Sequence, residues 1–304
     1  MAASLEGDAA AALGCAVNGG PGGMNGFVDR AVGKMQNARM PDWTALDLEH
    51  RADGVAVLTM NRPAVFNAFD EVLIAELDAA FATLGADPAV RVVVLAGAGK
   101  HFSAGADVQW MQRAAAASQD DNLADARRFA AMLARIADCP KPTLARIQGA
   151  ALGGGVGLAC ACDLAVASEA ASFSVSEARM GILPAVIGPH LVNAVGLREA
   201  RRLALTARRI DAAEALRLGL VQQVAPAEGL DAAVEAVLAD LLACGPAAQA
   251  EIKQLYAQLA PGPVTADVRE LTAETIARVR STPEAREGFA AFLGKRKPNW
   301  KASE

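Results

Sequence analysis

Aromatic side chains are scarce in this sequence: nine Phe, three Trp and a single Tyr make up 4% of 304 residues. The apolar share is nevertheless 53%, carried by Ala, Leu and Val. That is enough for one large domain, or a domain with an appendage, around a substantial core. A basic excess is also lacking. Twenty-nine Lys and Arg against 34 Asp and Glu leave a net charge of −5. This argues against a general nucleic-acid surface but permits a local basic patch for a small anionic ligand. No apolar run reaches membrane-spanning length without Gly or charge, so no membrane partner is expected. The opening residues carry early acids and no basic stretch, which makes a poor signal or transit peptide.

Cysteines are few and odd in number: Cys15, Cys139, Cys160, Cys162 and Cys244. Cys160 and Cys162 stand one residue apart in an apolar run, with no second Cys/His pair at finger-like spacing, so no metal site is expected. Buried reduced thiols fit better, and with them a cytoplasmic location. Only His50, His101 and His190 could supply an imidazole base, and neither Ser103 nor Ser176 sits in a GxSxG elbow. Hydrolase chemistry is disfavoured accordingly.

Regular structure is expected only after a leader. Residues 1–40 are Ala/Gly-rich and patternless, and read as a flexible, dispensable segment. Met24, Met35 and Met40 all precede the first convincing strand. Met40 in particular is an alternative true start. Thr44 to Arg51 and Gly54 to Met60 read as a strand hairpin. Asp70 to Leu84 and Leu123 to Ile136 have helical periodicity. The run RVVVLA at 91–96 predicts a strand covered on both faces. Pro142 to Gln148 and Asp163 to Ala167 are further strands. This alternation predicts an α/β core over 41–229. A helical region at 230–304 follows, whose apolar stripes need a partner.

Three segments carry chemistry. HFSAGAD at 101–107 follows a strand and precedes a helix, where small residues allow close backbone approach and N–H groups are left unpaired. Alone it could be an ordinary tight turn. GAALGGGVGL at 149–158 places three consecutive Gly at a helix start, a costly choice unless the backbone is used. It matches neither a phosphate-binding P-loop nor a dinucleotide fingerprint. Two such turns in one domain can aim two N–H donors at one oxygen, forming an oxyanion hole. Third, Ser176 can cap a helix with Glu177 in its first turn, which by itself is simply favourable electrostatics.

Together and in this order, these segments resemble the enoyl-CoA hydratase/isomerase (crotonase) family. The resemblance runs from about Leu46 to Trp300. It includes LTMNRPAVFNAF (58–69), HFSAGADVQWM (101–111), KPTLARIQGAALGGGVGLACACDLAVAS (141–168), the Glu177 segment and FLGKRKPNW (292–300). It implies a crotonase-like spiral of β-β-α turns with a C-terminal helical region that packs homotrimers or dimers of trimers. The substrate would be an acyl-CoA, CoA being part of the substrate rather than a cofactor. Residue by residue, Ala106 and Gly154 match the two oxyanion donors and Glu177 matches the second of two catalytic Glu. Ala104, Ala106, Asp107, Val108 and Gln109 match the strip contacting CoA and the acyl group. Lys295 to Lys297 are placed to reach CoA phosphates, including those of a neighbouring subunit.

One departure stands out. The typical hydratase carries its first catalytic Glu where this chain has Gly157. A single carboxylate suffices for moving a double bond, so residue count favours a Δ3,Δ2-enoyl-CoA isomerase. In a same-face hydration one carboxylate can also serve both proton transfers. The texture of GGGVGL followed by SEARMGILPAVIGPHLVNAVG resembles the methylglutaconyl-CoA hydratase subgroup, and shifts the weight to hydration of a branched or dicarboxylic enoyl-CoA. A non-catalytic CoA-binding protein is the rival of another class. Arg179, His101 and Arg113 are the candidate cations for a distal substrate carboxylate. A Glu restored at 157 is expected to raise hydration of simple enoyl thioesters.

Overall fold

The expected hairpin is formed by β1 (Leu46–His50) and β2 (Val55–Met60), antiparallel with Leu46 opposite Met60 and His50 opposite Ala56. The computed structural model describes residues 43–300, and from Trp43 onward they belong to one compact unit. The leader expected at 1–40, with Cys15 and Met40, lies outside the described residues.

Past the hairpin the chain crosses over through α1 (Glu71–Ala86), whose cap Asp70 accepts from the Leu73 amide at 2.9 Å. It returns as β3 (Val92–Gly97), parallel to β2 and buried at every position. This is the doubly covered strand read from its unbroken apolar run. After α2 (Val108–Ala116) and α3 (Gln119–Ala137) come β4 (Thr143–Ile147), β5 (Ala150–Leu152) and α4 (Gly154–Ala161). Next are β6 (Leu164–Ser168), β7 (Ser172–Ser174) and α5 (Gly188–Thr206), the last kinked at Gly196. Then follow β8 (Ile210–Asp211), α6 (Ala212–Leu218), β9 (Gln223–Ala225) and α7 (Leu230–Ala243). The chain closes with α8 (Pro246–Ala257), α9 (Ala266–Arg280) and α10 (Pro283–Leu293).

Two sheets result, a six-stranded one ordered β1-β2-β3-β4-β6-β9 and a small one ordered β5-β7-β8. Side-chain alternation divides the large sheet into two apolar faces. Val93 and Leu95 join Leu58, Phe69, Leu73, Leu77 and Phe81 in the main core. Val92 and Val94 point the other way, into a cluster with Leu230, Val234 and Leu238 of α7. The first helix of the expected C-terminal region therefore seals the sheet, and only α8–α10 remain lightly buried. The small sheet escapes sequence reading because strands of two or three residues show no period.

Cys139, Cys160, Cys162 and Cys244 are all free thiols. Burial pushes the Cys160 thiol up to about 12 and raises Cys162 as well, so both act as inert packing groups. Among the described residues no helix is long and apolar enough to cross a membrane.

Candidate active site

The segment 61–69 lies under everything else at the site. Asn67 is fully buried with a left-handed backbone (φ 54°). Its amide group donates to the carbonyls of Ala98 and His101, both at 2.9 Å, and of Phe102 at 3.2 Å. Its side-chain oxygen accepts from the Arg62 amide at 2.9 Å, and its own carbonyl accepts from Ser103 Oγ at 2.8 Å. The Arg62 guanidinium in turn bridges Asp70 (2.8 Å), Asp107 (3.1 Å) and the Ala68 carbonyl. One short loop thus fixes the turn at 101–107 with side-chain bonds that leave few buried polar groups unsatisfied.

That turn is next laid against the glycine-rich one. Ser103 N–H donates to the Ala150 carbonyl at 3.1 Å, and Leu152 N–H donates to the Ser103 carbonyl at 2.9 Å. His101 Nδ1 accepts from the Ala150 amide at 3.0 Å. Burial, together with Lys100 and Arg209, lowers the His101 pKa, which keeps that nitrogen free to accept. His101 is therefore a structural strut between the two turns. Gly153 adopts φ 49°, ψ −116°, a region hostile to any side chain, and launches α4 from it. As a result Gly154 begins the helix with the rings of Phe69 and Phe129 against it; a Cβ there would come within 3.0 Å of both. Neither the Ala106 nor the Gly154 amide has an acceptor among the described residues.

Ala106 and Gly154 both line a cavity of about 390 Å³, with a lining that includes Phe69, Ala104, Trp110, Phe129, Glu177 and Ile187. Among the described residues Glu177 is the only titratable one in the lining. It opens a 3₁₀ turn at Glu177–Met180 whose preceding residue, Ser176, makes no capping bond, contrary to the capping role expected of it. The carboxylate lies over Gly153, within 3.1 Å of where a Cβ would stand. Its Oε2 is buried without a hydrogen-bond partner among the described residues. Burial raises the Glu177 pKa above its ordinary value, only partly countered by its own amide. A carboxyl so placed can hold and release a proton in an apolar space.

Other expected site residues lie elsewhere. Asp107 caps α2, accepting from Gln109 N at 2.8 Å, and pairs with Arg62. Burial alone would raise its pKa, yet the Gln109 and Trp110 amides and Arg62 hold it low. Val108 is 64% exposed, and neither it nor Gln109 lines the cavity. Lys295 is exposed beyond α10 and is not part of the lining. Arg113 is engaged by Glu71 at 2.7 Å, and Arg179 is exposed outside the cavity. Arg62 and Asn67 stand in the motif at 58–69, where residue type alone signals no role for either; their hydrogen bonds show it. Phe129 and Ile187 gave none beyond helical or core periodicity.

The chain is also similar to known proteins in sequence and in fold. The family model for enoyl-CoA hydratase/isomerase matches residues 50–303. A crotonyl-CoA hydratase of Syntrophomonas wolfei is 34% identical over 258 residues, covering 82% of this chain and 95% of that one. The crystal structure of an enoyl-CoA hydratase from Shewanella pealeana superposes with a TM-score of 0.82 at 39% identity, over 85% of this chain and 97% of that one. Pseudomonas aeruginosa AtuE gives 0.81 at 40% identity, over 84% and 99%. With a cavity walled by two turns of small residues and a half-buried Glu, and a family model spanning nearly all the described residues, the chain belongs to the enoyl-CoA hydratase/isomerase, or crotonase, family.

Proposed function

We propose that this enzyme adds water across the Cα=Cβ bond of an enoyl-CoA, with Glu177 as its only acid–base carboxylate. Water attacks Cβ as Glu177 takes one of its protons. The double-bond electrons move into the thioester to form an enolate, whose oxygen accepts hydrogen bonds from the Ala106 and Gly154 amides. The enolate then collapses and Cα takes the proton back from Glu177. Each preorganised donor of this kind is worth about 3 kcal/mol in a water-poor site. The observation that carries the reading is the unpartnered, buried Glu177 Oε2 in the same cavity as two free backbone amides.

The acyl group that fits this lining is apolar, with room for a branch. Among the described residues no Lys, Arg or His lines the cavity. A dicarboxylic substrate would therefore bring a distal charge with no partner there, which costs several kcal/mol. Of the two acyl classes expected for the subgroup, the branched uncharged one is favoured over the methylglutaconyl type. Assembly as a trimer or a dimer of trimers is part of the same proposal, supported by the exposed Phe289, Phe292 and Leu293 on α10.

The test is loss of enoyl-thioester ultraviolet absorbance over a panel of straight, 3-methyl-branched and dicarboxylic enoyl-CoAs. Glu177→Gln should bind CoA thioesters normally while kcat falls by about 10²-fold or more. Full activity of that variant would return Glu177 to a structural role. Double-bond migration without hydration would favour the isomerase reading instead.

A further inference from the structure

Gly157 sits on the inner face of α4, one turn beyond Gly154. A Cβ built on it would lie 2.4 Å from Ile187 Cγ2, 3.0 Å from Ile187 Cβ and 3.7 Å from Leu133 Cδ1. Carbon atoms in van der Waals contact stand about 3.5–4.0 Å apart, so the first two distances are overlaps. Ile187 is the residue preceding α5, is 2% exposed, and lines the cavity beside Val186. Being β-branched, it cannot easily swing its Cγ2 methyl away.

We infer that Ile187 is a specificity-determining residue that fills the space a side chain at 157 would need, so that Gly157 and Ile187 form one coupled element. This rests on the hydratase reading of the cavity. The consequences are physical. Position 157 holds no side chain because the α5 entrance has closed over it. The place where a second carboxylate could hold water is hydrocarbon. An acyl substituent at the reacting end meets a methyl surface there, which favours a branched chain over a polar or hydrated one. The expectation that Gly157→Glu alone would add activity therefore has to be withdrawn, since the new side chain would run into Ile187.

A double-mutant cycle tests the pairing through two readouts, melting temperature and kcat/KM on crotonyl-CoA and 3-methylcrotonyl-CoA. Gly157→Glu alone should lower the melting temperature by about 5 °C or more, as overpacked cores do. Gly157→Glu with Ile187→Gly should recover most of that loss. It should also shift the straight-over-branched ratio of kcat/KM by about tenfold or more relative to wild type, the scale on which methyl-sized changes discriminate in apolar pockets. Should Gly157→Glu not fold, the smaller cycle Gly157→Ala against Ile187→Ala and Ile187→Val keeps the pairing testable. Val retains the overlapping methyl and should not rescue Gly157→Ala; Ala removes it and should. Additive effects on melting temperature, or rescue by Val equal to rescue by Ala, would overturn the pairing. An unchanged substrate ratio in the folded double variant would overturn the specificity role. A wild-type enzyme inactive on every enoyl-CoA would sink the hydratase reading, and the melting-temperature cycle would still judge the packing.

Discussion

The turns around the cavity and the last three helices are built on opposite principles. At the cavity, seven of the eight residues of α4 are buried, and Asn67, Arg62 and Ser103 tie three loops together through hydrogen bonds to backbone atoms. In α8–α10 the buried residues are only Gln249 and Ala291, and α9 buries none. Those helices are linked by surface contacts, Arg278 with Glu251 and Glu284 accepting from the Ala247 and Ala248 amides, and Arg296 pairs with Glu287 at 2.6 Å to hold the segment after α10. Exposed pairs of this kind are screened by solvent and contribute little to stability. Rigid backbone donors need a site whose geometry is over-determined, whereas the helices proposed above to meet another copy leave apolar side chains outside. The difference teaches where damage should be local and where it should be collective.

Breaking the cavity side should give the largest effect. Asn67→Leu fills similar space but strands three carbonyl oxygens and the Arg62 amide. Losing several buried bonds at once costs about 3 kcal/mol or more. For a domain of this size that is a fall of about 6–12 °C in melting temperature. Turnover should drop in parallel, because the loop carrying Ala106 loses its anchor. Calorimetry and kinetics on the same preparation check this; an unchanged melting temperature would show that the turn at 101–107 does not depend on Asn67.

The contrast also marks what was legible beforehand. The hairpin, the crossover strands and the helical tail all follow from periodicity and turn residues. The Gly153–Gly155 turn and Glu177 were visible as a costly glycine run and a carboxylate in a motif. What was hidden depends on close approach between distant segments. Ile187 reads as one more core residue, and only the overlap with Gly157 gives it meaning. His101 and Asp107 looked available for substrate because sequence does not show the Ala150 amide or the Arg62 guanidinium that engage them. Likewise, α7 looked like the start of a separate tail, although its stripe of Leu230, Val234 and Leu238 covers the large sheet.

On the helical side the effect should be on assembly rather than on fold. Phe292 and Leu293 are 82% and 80% exposed, so replacing both with Ser removes no internal contact of consequence. Light scattering should then report a smaller species, while the circular dichroism spectrum stays that of the parent. A parent that is itself monomeric would show that these side chains serve no contact between copies.

The smallest effect is the most diagnostic of the cavity. Burial raises the Glu177 pKa above its ordinary value of 4.5, so the folded protein keeps this proton to a higher pH than the unfolded chain does. Between the two values the native state binds more protons. Unfolding then releases a proton, and stability falls as pH rises through that window, levelling off above the folded value. Gln at 177 has the same shape and no ionisation. The melting temperature of Glu177→Gln should therefore match the parent below the ordinary carboxylate range and exceed it increasingly as pH climbs, until the gap becomes constant. Carboxylates held low by backbone amides and by ion pairs, such as Asp107 and Glu71, respond in the opposite direction but equally in both proteins, so they cancel from the difference. A gap that does not change with pH would mean that Glu177 ionises as freely in the cavity as in the unfolded chain. The cavity would then lack the water-poor character on which the one-carboxylate chemistry depends.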